Sequence, residues 1–543
     1  MAIKSKIDGN SRISLSDDQL FDQSTANASG LDSTSGNTFV GYLAGQSVDA
    51  GSINNTFIGH GVGDAGLANA ENNVGIGAGA LSALTQGDQN VVIGRIAGAA
   101  LTTSENNVII GDGAGTTLSA AMNNNVLIGR NAGAAIEHAD ASGTVAIGHV
   151  ALTALTSGAA NVAIGYQSGQ ATTTGAHNVF VGDNAGYTNV DGIRNIAVGH
   201  QAFKLNSSGS YNTAVGRSAL YTNVSSNSNT AIGYESLYLS TGSNNTAVGF
   251  QAGDSTTGDH NTLIGSTAGA ALAGNSHCTI IGSEAGATTT GGSNTFVGYR
   301  AGNDCTSGGS NTFVGYRAGG DADVALTGNN NTCVGDGSGI NMQDAPTQNT
   351  LIGKNAGDTI ESGSYNTMIG VNADASGDDV DYEIVIGINI AGAGADTFRV
   401  GKASNYISTG SFSGAQTFTV SSDIRKKRNI NDNTLGLEFI NDIKTKTFQW
   451  KPASEFPEEW EAWDEDKDGN RVYHEMNTEM LRYGLIAQEV KESMVKFDAD
   501  EFPGWNVDPK GIQEVSKESF IIPLMKAVQE LSAKVEELEA KIN

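Results

Sequence analysis

Four acidic residues in the last quarter of the chain have the spacing of calcium ligands. Asp464, Asp466, Asp468 and Glu475 form the pattern D-x-D-x-D-G-x5-E, with Gly469 at the turn. Carboxylate oxygens are the ligands that Ca²⁺ prefers, and this spacing is that of a helix–loop–helix calcium loop. The pattern makes a calcium site one hypothesis, and no other cofactor is expected.

The same residues also fit a simpler structure. Arg471 occupies a position where calcium loops usually carry an apolar side chain, and flanking helices are not evident in the sequence. An acidic hairpin turn centred on Asp468 and Gly469 fits the same residues. Both interpretations stay open.

Two serines followed by a basic run form a second candidate site. Ser421 and Ser422 precede Asp423, and a run of cationic side chains extends from Arg425 to Arg428. Taken alone, such a run indicates a solvated basic turn before a helix. These residues indicate a chemical role only when they are considered together with motifs that follow them in the chain.

Most of the chain before these residues repeats one short phrase. It reads N-T-F-V-G at Asn37, N-V-A-I-G at Asn161 and N-T-F-V-G again at Asn294. The glycine that closes the phrase recurs 22 times from Gly41 to Gly401, mostly at intervals of 16 to 18 residues. A period held over this length predicts a parallel β-solenoid, in which each coil stacks on the next.

Within each phrase, side chains alternate between the two faces of a strand. Position two is usually Thr, Val or Ile, and position four is almost always Val or Ile, so we expect these positions to point into the coil. Position three is apolar and would then face outward, covered by another copy of the chain. Asparagine at position one is a candidate for a side-chain ladder between coils, and the glycines predict tight turns with positive φ.

Composition and charge restrict the function. The net charge of −28 disfavours nucleic acid as a partner, and the three cysteines, Cys278, Cys305 and Cys333, have no metal-ligand spacing. Cys278 and Cys333 lie within repeats and are interpreted as small core or interface residues. No secretory signal or membrane-spanning segment is visible, so we expect a soluble protein made in a cytoplasm, with no membrane insertion.

The residue after each closing glycine is often aromatic, histidine or arginine, as at Tyr42, His60, Arg95, Tyr234 and Tyr299. These side chains are either a surface that binds glycan or protein, or a solvated turn with scattered rings. The array contains no nucleophile elbow and no recurrent pair of acidic residues in its strands, so no turnover enzyme is expected.

The phrase resembles the repeats of the left-handed parallel β-roll heads of trimeric bacterial adhesins, which carry an N-S-V-A-I-G-like sequence. Similar repeats are found in phage fibres. The resemblance implies a parallel trimer, although the period in this chain is longer and less uniform.

The last 122 residues carry three phrases in a distinctive order. S-D-I-R-K-K starts at Ser422, G-L-I-A-Q-E-V starts at Gly484, and F-I-I-P-L-M-K-A-V-Q-E-L starts at Phe520. Together they resemble the intramolecular chaperone domain of endosialidase-type phage tailspikes and fibres. That resemblance implies a trimerising domain that cuts the chain just before its first serine, here between Ser421 and Ser422.

The resemblance also assigns roles to individual residues. The Ser–Lys arrangement of the family corresponds to Ser422 and Lys427, with Asp423 in the same phrase. A serine hydroxyl would attack the neighbouring carbonyl while a lysine with a lowered pKa handles the proton. Two departures stand out: Lys426 replaces the apolar residue that the family usually has, and Ser421 offers a second hydroxyl.

The C-terminal segment, residues 520–543, has the periodicity of a coiled coil. Its apolar residues alternate spacings of three and four: Ile521, Leu524, Val528, Leu531, Val535, Leu538 and Ile542. β-branched a positions with leucine at d favour two strands, whereas the resemblance implies three.

These observations divide the chain into four segments. Residues 1–36 are a cap or virion-attachment segment, 37–403 the solenoid of about 22 coils, 404–421 a linker, and 422–543 an α+β chaperone domain ending in a coiled coil. The resemblance implies a homotrimeric fibre or spike of a phage virion, assembled in the host cytoplasm, attached by its N-terminus and facing a host glycan or protein. A polysaccharide-degrading tailspike and a cellular trimeric adhesin are the alternatives.

Overall fold

The structure, a computed structural model, divides into two compact units, Met1–Val420 and Ser421–Asn543. It describes residues 6–8, 12–14, 36–49, 51–119, 121–320, 324–403, 405–409, 418–419, 428–457, 463–465, 471–473, 478–507 and 511–542. Each unit is considered by itself below.

The first unit is a parallel β-solenoid, as the repeat predicts. Its described residues include 22 strands, joined by 21 successive parallel pairings that extend over about 100 Å. Equivalent residues of neighbouring repeats pair, as in Val162 with Val179 and Ile164 with Val181. The 22 strands are Thr38–Val40, Thr56–Ile58, Val74–Ile76, Val91–Ile93, Val108–Ile110, Val126–Ile128, Val145–Ile147, Val162–Ile164, Val179–Val181, Ile196–Val198, Thr213–Val215, Thr230–Ile232, Thr246–Val248, Thr262–Ile264, Thr279–Ile281, Thr295–Val297, Thr312–Val314, Thr332–Val334, Thr350–Ile352, Thr367–Ile369, Ile384–Ile388 and Phe398–Lys402.

Shorter elements accompany this ladder. Asn405–Thr409 pairs antiparallel with the last solenoid strand and with Phe418–Thr419. Lys6–Asp8 and Arg12–Ser14 form an antiparallel pair, Ala373–Asp374 pairs in parallel with Ile390–Ala391, and Ala139–Ala141 is a 3-10 turn.

The prediction of which strand side chains point into the coil is wrong. The middle residue of the strand, position three, is the one that points inward: Phe57, Ala163 and Phe296 are fully buried. Positions two and four face outward, and Ile164 at position four is 38% exposed. The alternation was correct, but both faces of these strands are apolar, so the pattern could not tell inside from outside.

The predicted asparagine ladder is confirmed. Asn178 is fully buried and donates its side-chain amide to the side-chain oxygen of Asn161, 3.1 Å away, and to the backbone carbonyl of Gly192. Its own side-chain oxygen accepts the backbone N–H of Asn195 at 2.9 Å. Each asparagine thus satisfies backbone groups at a corner of the coil where the strand ladder begins.

The ladder is interrupted where other residues take the asparagine position. Thr144 and Cys278 occupy it within the array, and Glu383 occupies it in the coil after Asn366. The buried carboxylate of Glu383 accepts the backbone N–H groups of Ser376 and Gly394 at 2.8 and 2.7 Å.

The closing glycines are required by close contact between coils, and their predicted positive φ is confirmed. Gly182 has φ +138°, and a Cβ atom there would lie 2.5 Å from the carbonyl oxygen of Gly199 in the next coil. Such a distance is far inside van der Waals contact, so no other residue fits without moving the backbone.

All three cysteines are free and buried. Burial raises the pKa of the Cys305 thiol to about 12, and burial also raises the pKa of Cys278 and Cys333. The thiolate is therefore disfavoured, which agrees with their interpretation as core residues.

The second unit contains helices α1 (Leu437–Asp442), α2 (Ala487–Lys496) and α3 (Ile521–Ile542), with 3-10 turns at Ala453–Glu455 and Lys517–Phe520. The strands among its described residues form three antiparallel pairs: Lys446–Phe448 with Arg482–Gly484, Trp463–Glu465 with Arg471–Tyr473, and Trp505–Val507 with Gln513–Val515. This small helix-and-strand unit agrees with the predicted α+β class. None of the described helices is both long and apolar enough to cross a membrane.

The core of the second unit forms around Phe439 of α1. Its ring makes edge contacts with Phe497 and Phe502, at centroid distances of 5.7 and 5.4 Å, and it packs near Phe520. Val490 and Met494 of α2 complete the buried cluster. The G-L-I-A-Q-E-V phrase and the phrase that starts at Phe520 therefore both supply residues to, or pack against, one core.

Candidate functional site

The predicted cleavage residues lie outside the described part of the structure. Ser421, Ser422, Asp423 and Lys427 all fall between the short strand that ends at 419 and residue 428, where description resumes. Their roles in self-cleavage therefore stay predictions that rest on the sequence.

The predicted calcium ligands are also largely outside the described residues. Asp464 lies in the strand Trp463–Glu465, which pairs antiparallel with Arg471–Tyr473, whereas Asp466, Asp468 and Glu475 are not described. The described residues contain no cluster of three or more His, Cys, Asp or Glu side chains suited to a metal. Two paired strands thus flank the acidic segment, and the calcium site stays a prediction.

Polar contacts hold α3 and α2 against α1 in the second unit. The backbone N–H of Leu437, at the start of α1, donates to Glu530 of α3 at 2.7 Å. At the other end of α1, Asp442 accepts hydrogen bonds from Lys496 and from Ser493 of α2. The Lys496 ammonium, followed by the Ser493 hydroxyl, lowers the pKa of Asp442, so this carboxylate stays ionised and acts as a structural anchor.

The predicted seam of α3 is exposed in the single chain. Leu524, Val528, Leu531 and Leu538 are each more than half exposed, and Ile542 is 84% exposed. A helix of 22 residues with an uncovered apolar stripe is suited to association with other helices. The helix is compatible with the predicted coiled coil.

The solenoid presents a second uncovered surface, which we call the strand face. It consists of the outward side chains at positions two and four of the strands. Ten successive threonines, from Thr213 to Thr367, form one row, and Val or Ile residues form the row beside it. Ile196 and Ile232 on this face are 42% and 40% exposed.

The residues after the closing glycines form a third surface, which we call the aromatic row. Stacking on the next coil brings together side chains that are 16 to 18 residues apart in the sequence. The pairs are Tyr42 with His60, His149 with Tyr166, Tyr234 with Phe250, and Tyr299 with Tyr316, at centroid distances of 5.3 to 5.5 Å. The sequence pointed to these side chains but not to their stacking.

A fourth surface was missed in the sequence. It consists of the residues just before each asparagine, which have left-handed backbone angles. Tyr365 stacks on Tyr382 at 4.7 Å, His260 stacks on His277 at 5.5 Å, and the Arg194 guanidinium lies over the Tyr211 ring. Aligning the repeats on their glycines reveals this row as a column of residues at one repeat position.

One pair of carboxylates shares a hydrogen bond on the solenoid. Asp358 and Asp374 lie in neighbouring coils, and Asp374 also accepts the backbone N–H of Thr359 at 3.0 Å. Burial, followed by the hydrogen bond to Asp374, raises the pKa of Asp358 to about 7. The Asp358 carboxyl therefore loses its proton near neutral pH, unlike an exposed aspartate.

Comparison with known proteins identifies the C-terminal segment. Residues 422–498 match the family described as chaperone of endosialidase. The matched range begins at Ser422 and contains the S-D-I-R-K-K and G-L-I-A-Q-E-V phrases, so the resemblance inferred from the sequence is confirmed. This chaperone segment and the long solenoid together fit a tail-fibre protein of the endosialidase type. Comparisons with curated proteins and with solved structures gave no match.

Proposed function

We propose that the chain is a homotrimeric fibre or spike protein of a phage virion. Its solenoid faces the host surface, and its C-terminal segment drives trimerisation and folding before release by self-cleavage. The observation that carries this proposal is the chaperone match at the C-terminal end of a uniform solenoid. The proposed division is 1–36 for a cap or for attachment to a virion component, 37–403 for the solenoid, 404–421 for the linker and 422–543 for the chaperone.

The uniformity of the solenoid explains why a chaperone is needed. A shift by one coil places Thr246 opposite Thr279 instead of Thr262 and leaves most pairs chemically unchanged. The asparagine ladder repeats in the same way, so it does not distinguish the correct pairing from a shifted one. Because neighbouring registers have similar energy, a trimeric clamp at one end would fix the register before the strands pair.

Two uncovered surfaces support self-association. The seam of α3 offers a row of exposed aliphatic side chains, among them Val528 and Leu531. The strand face offers Val and Ile side chains along the whole array, with threonines beside them. Aliphatic rows of this length are suited to burial between copies of the chain. We assign α3 and the strand face to contacts within the trimer.

The proposed cleavage is an N-to-O acyl transfer followed by hydrolysis of the ester. The Ser422 hydroxyl attacks the carbonyl carbon of Ser421, the peptide C–N bond breaks, and an ester forms as the Ser422 nitrogen becomes an amine. Lys427 takes the hydroxyl proton and supplies a proton to the amine, and Asp423 belongs to the same catalytic phrase. Water then hydrolyses the ester and separates residues 1–421 from 422–543.

A denaturing gel with intact mass measurement tests this step. The expressed wild-type chain should yield a C-terminal fragment of 122 residues that begins at Ser422. Ser422→Ala should yield only the full chain, whereas the matched control Ser421→Ala should still be cleaved. A wild-type chain that stays intact, or a Ser422→Ala variant that is cut at the same bond, would contradict the assignment.

The calcium site at Asp464, Asp466, Asp468 and Glu475 remains a separate proposal. Titration calorimetry of the full chain with Ca²⁺, compared with the variant Asp468→Asn, tests it. Heat of binding that is the same in both proteins would argue for an acidic hairpin turn instead.

A further inference from the structure

The aromatic row contains a gap between two stacks of rings, which we call the notch. Tyr234 stacks on Phe250 on one side, and Tyr299 stacks on Tyr316 on the other. The two intervening coils carry small exposed serines in the same row, Ser266 and Ser283. The notch therefore has an aromatic wall at each end and a floor with two hydroxyl groups.

The geometry of the two stacks exposes one ring face on each side of the notch. The rings of Tyr234 and Phe250 are 5.3 Å apart and within 8° of parallel, so the far face of Phe250 points along the array toward Ser266. Tyr299 has the mirror arrangement, with Tyr316 behind it at 5.5 Å. Phe250 is 50% exposed and Tyr299 is 41% exposed, which leaves apolar ring surface accessible from solvent.

The backbone holds these walls in place. Phe250 and Tyr299 each follow a closing glycine, and the N–H groups of Gly249 and Gly298 each donate to the preceding coil at 2.8 Å. The two rings are three coils apart, which corresponds to about 14 Å between them. A site with fixed walls loses little conformational entropy when it binds a ligand.

Two other ends of the ring stacks have charged side chains close by in the chain or the fold. Beyond Tyr166, Asp183 lies within 3.8 Å of His200 in the following coil, and the guanidinium of Arg317 lies 5.1 Å from the centre of the Tyr316 ring. The notch differs because only serine hydroxyls separate its two open faces. It is thus suited to a ligand that is both apolar on its flat faces and rich in hydroxyl groups at its edges.

Charge near the notch disfavours an ionic ligand. Glu284 and Arg300, one position further along their coils, form an ion pair with 3.1 Å between Oε2 and Nε, so their charges offset each other beside the notch. The chain as a whole carries a net charge of −28, which repels polyanions.

We infer that the notch binds a neutral oligosaccharide. Pyranose rings would pack their C–H faces on Phe250 and Tyr299, and their hydroxyl groups would bond to Ser266 and Ser283. This inference rests on the proposed role of the solenoid in contacting a host surface, and it assigns the ligand class and the position of that contact.

A panel of neutral hexose and N-acetylhexosamine oligosaccharides, immobilised on a surface, tests the inference with the full-length protein. The wild type should bind at least one member. Phe250→Ala and Tyr299→Ala should each weaken that binding about tenfold, since each removes one wall. Tyr42→Ala, an exposed residue of the same row outside the notch, should bind like the wild type.

Ser283→Tyr provides a second test that does not depend on losing a side chain. A tyrosine at this row position should stack on Tyr299, fill the notch and leave the thermal midpoint unchanged or higher while abolishing binding. The notch assignment is overturned if all variants bind the panel like the wild type. It is also overturned if no panel member binds the protein although the protein still attaches to host cells, and the proposed host contact is then unaffected. Loss of all attachment to host cells would instead overturn the proposed function.

Discussion

Replacing Asn178 by alanine removes one rung of the asparagine ladder and tests its contribution to stability. The backbone N–H of Asn195 loses its acceptor, and Gly192 loses one of its two side-chain donors, since Asn189 still donates at 3.1 Å. Asn178 and Asn195 are fully buried, so water does not replace the lost acceptor. One orphaned N–H and two lost amide hydrogen bonds amount to about 2–4 kcal/mol of local stability.

Amide hydrogen exchange followed by mass spectrometry measures this loss coil by coil. A loss of 2–4 kcal/mol should speed exchange in the coils next to residue 178 by about 30- to 700-fold. Thr174→Ala, at an exposed position of the same coil, should leave exchange unchanged. If the amide of Asn195 in Asn178→Ala exchanges within twofold of the wild-type rate, the ladder does not stabilise the solenoid.

Three further predictions concern other parts of the chain. Gly182→Ala forces a Cβ atom to within 2.5 Å of a carbonyl oxygen, whereas the Cβ of the control Gly143→Ala would have no neighbour within 4 Å. The thermal midpoint of Gly182→Ala should therefore fall well below that of Gly143→Ala. Equal midpoints would show that the close contact does not require glycine. Burial and a carboxylate neighbour raise the pKa of Asp358 from 3.8 to about 7, so the coils around it should lose stability as the pH rises from about 4 to 7. Asp358→Asn should remove this pH dependence of stability, measured by hydrogen exchange. The same pH dependence in both proteins would contradict the role of Asp358. Leu531→Glu places a charge in the seam of α3 and should abolish trimers in size-exclusion chromatography, whereas Glu536→Gln outside the seam should not; trimers in both variants would contradict the assigned seam.

The repeat predicted the solenoid because every coil carries the same glycine and the same strand. Alternation within the strand was equally clear, yet it did not reveal which side is inside. Ala163 and Phe180 pair as neighbours in the interior, while Ile164 lies outside with Val181. An interior that accepts alanine in one coil and phenylalanine in the next has no residue signature, so only the closed coil decides the orientation.

The stacked rings on the surface could also not be predicted from the sequence pattern alone. Tyr234 and Phe250 are 16 residues apart, and nothing in their immediate sequence places them in contact. Their stacking follows from the exact register of the coils. The roles of Ser422 and Lys427 came from resemblance alone, because the spacing of a serine and a lysine without a fold does not define a catalytic pair.

Native mass spectrometry of the purified wild-type protein reports the number of chains in the assembly and their cleavage in one spectrum. We expect an assembly of three copies of residues 1–421, with the 122-residue fragment either released or retained as three copies. A monomer of the intact 543-residue chain would contradict it.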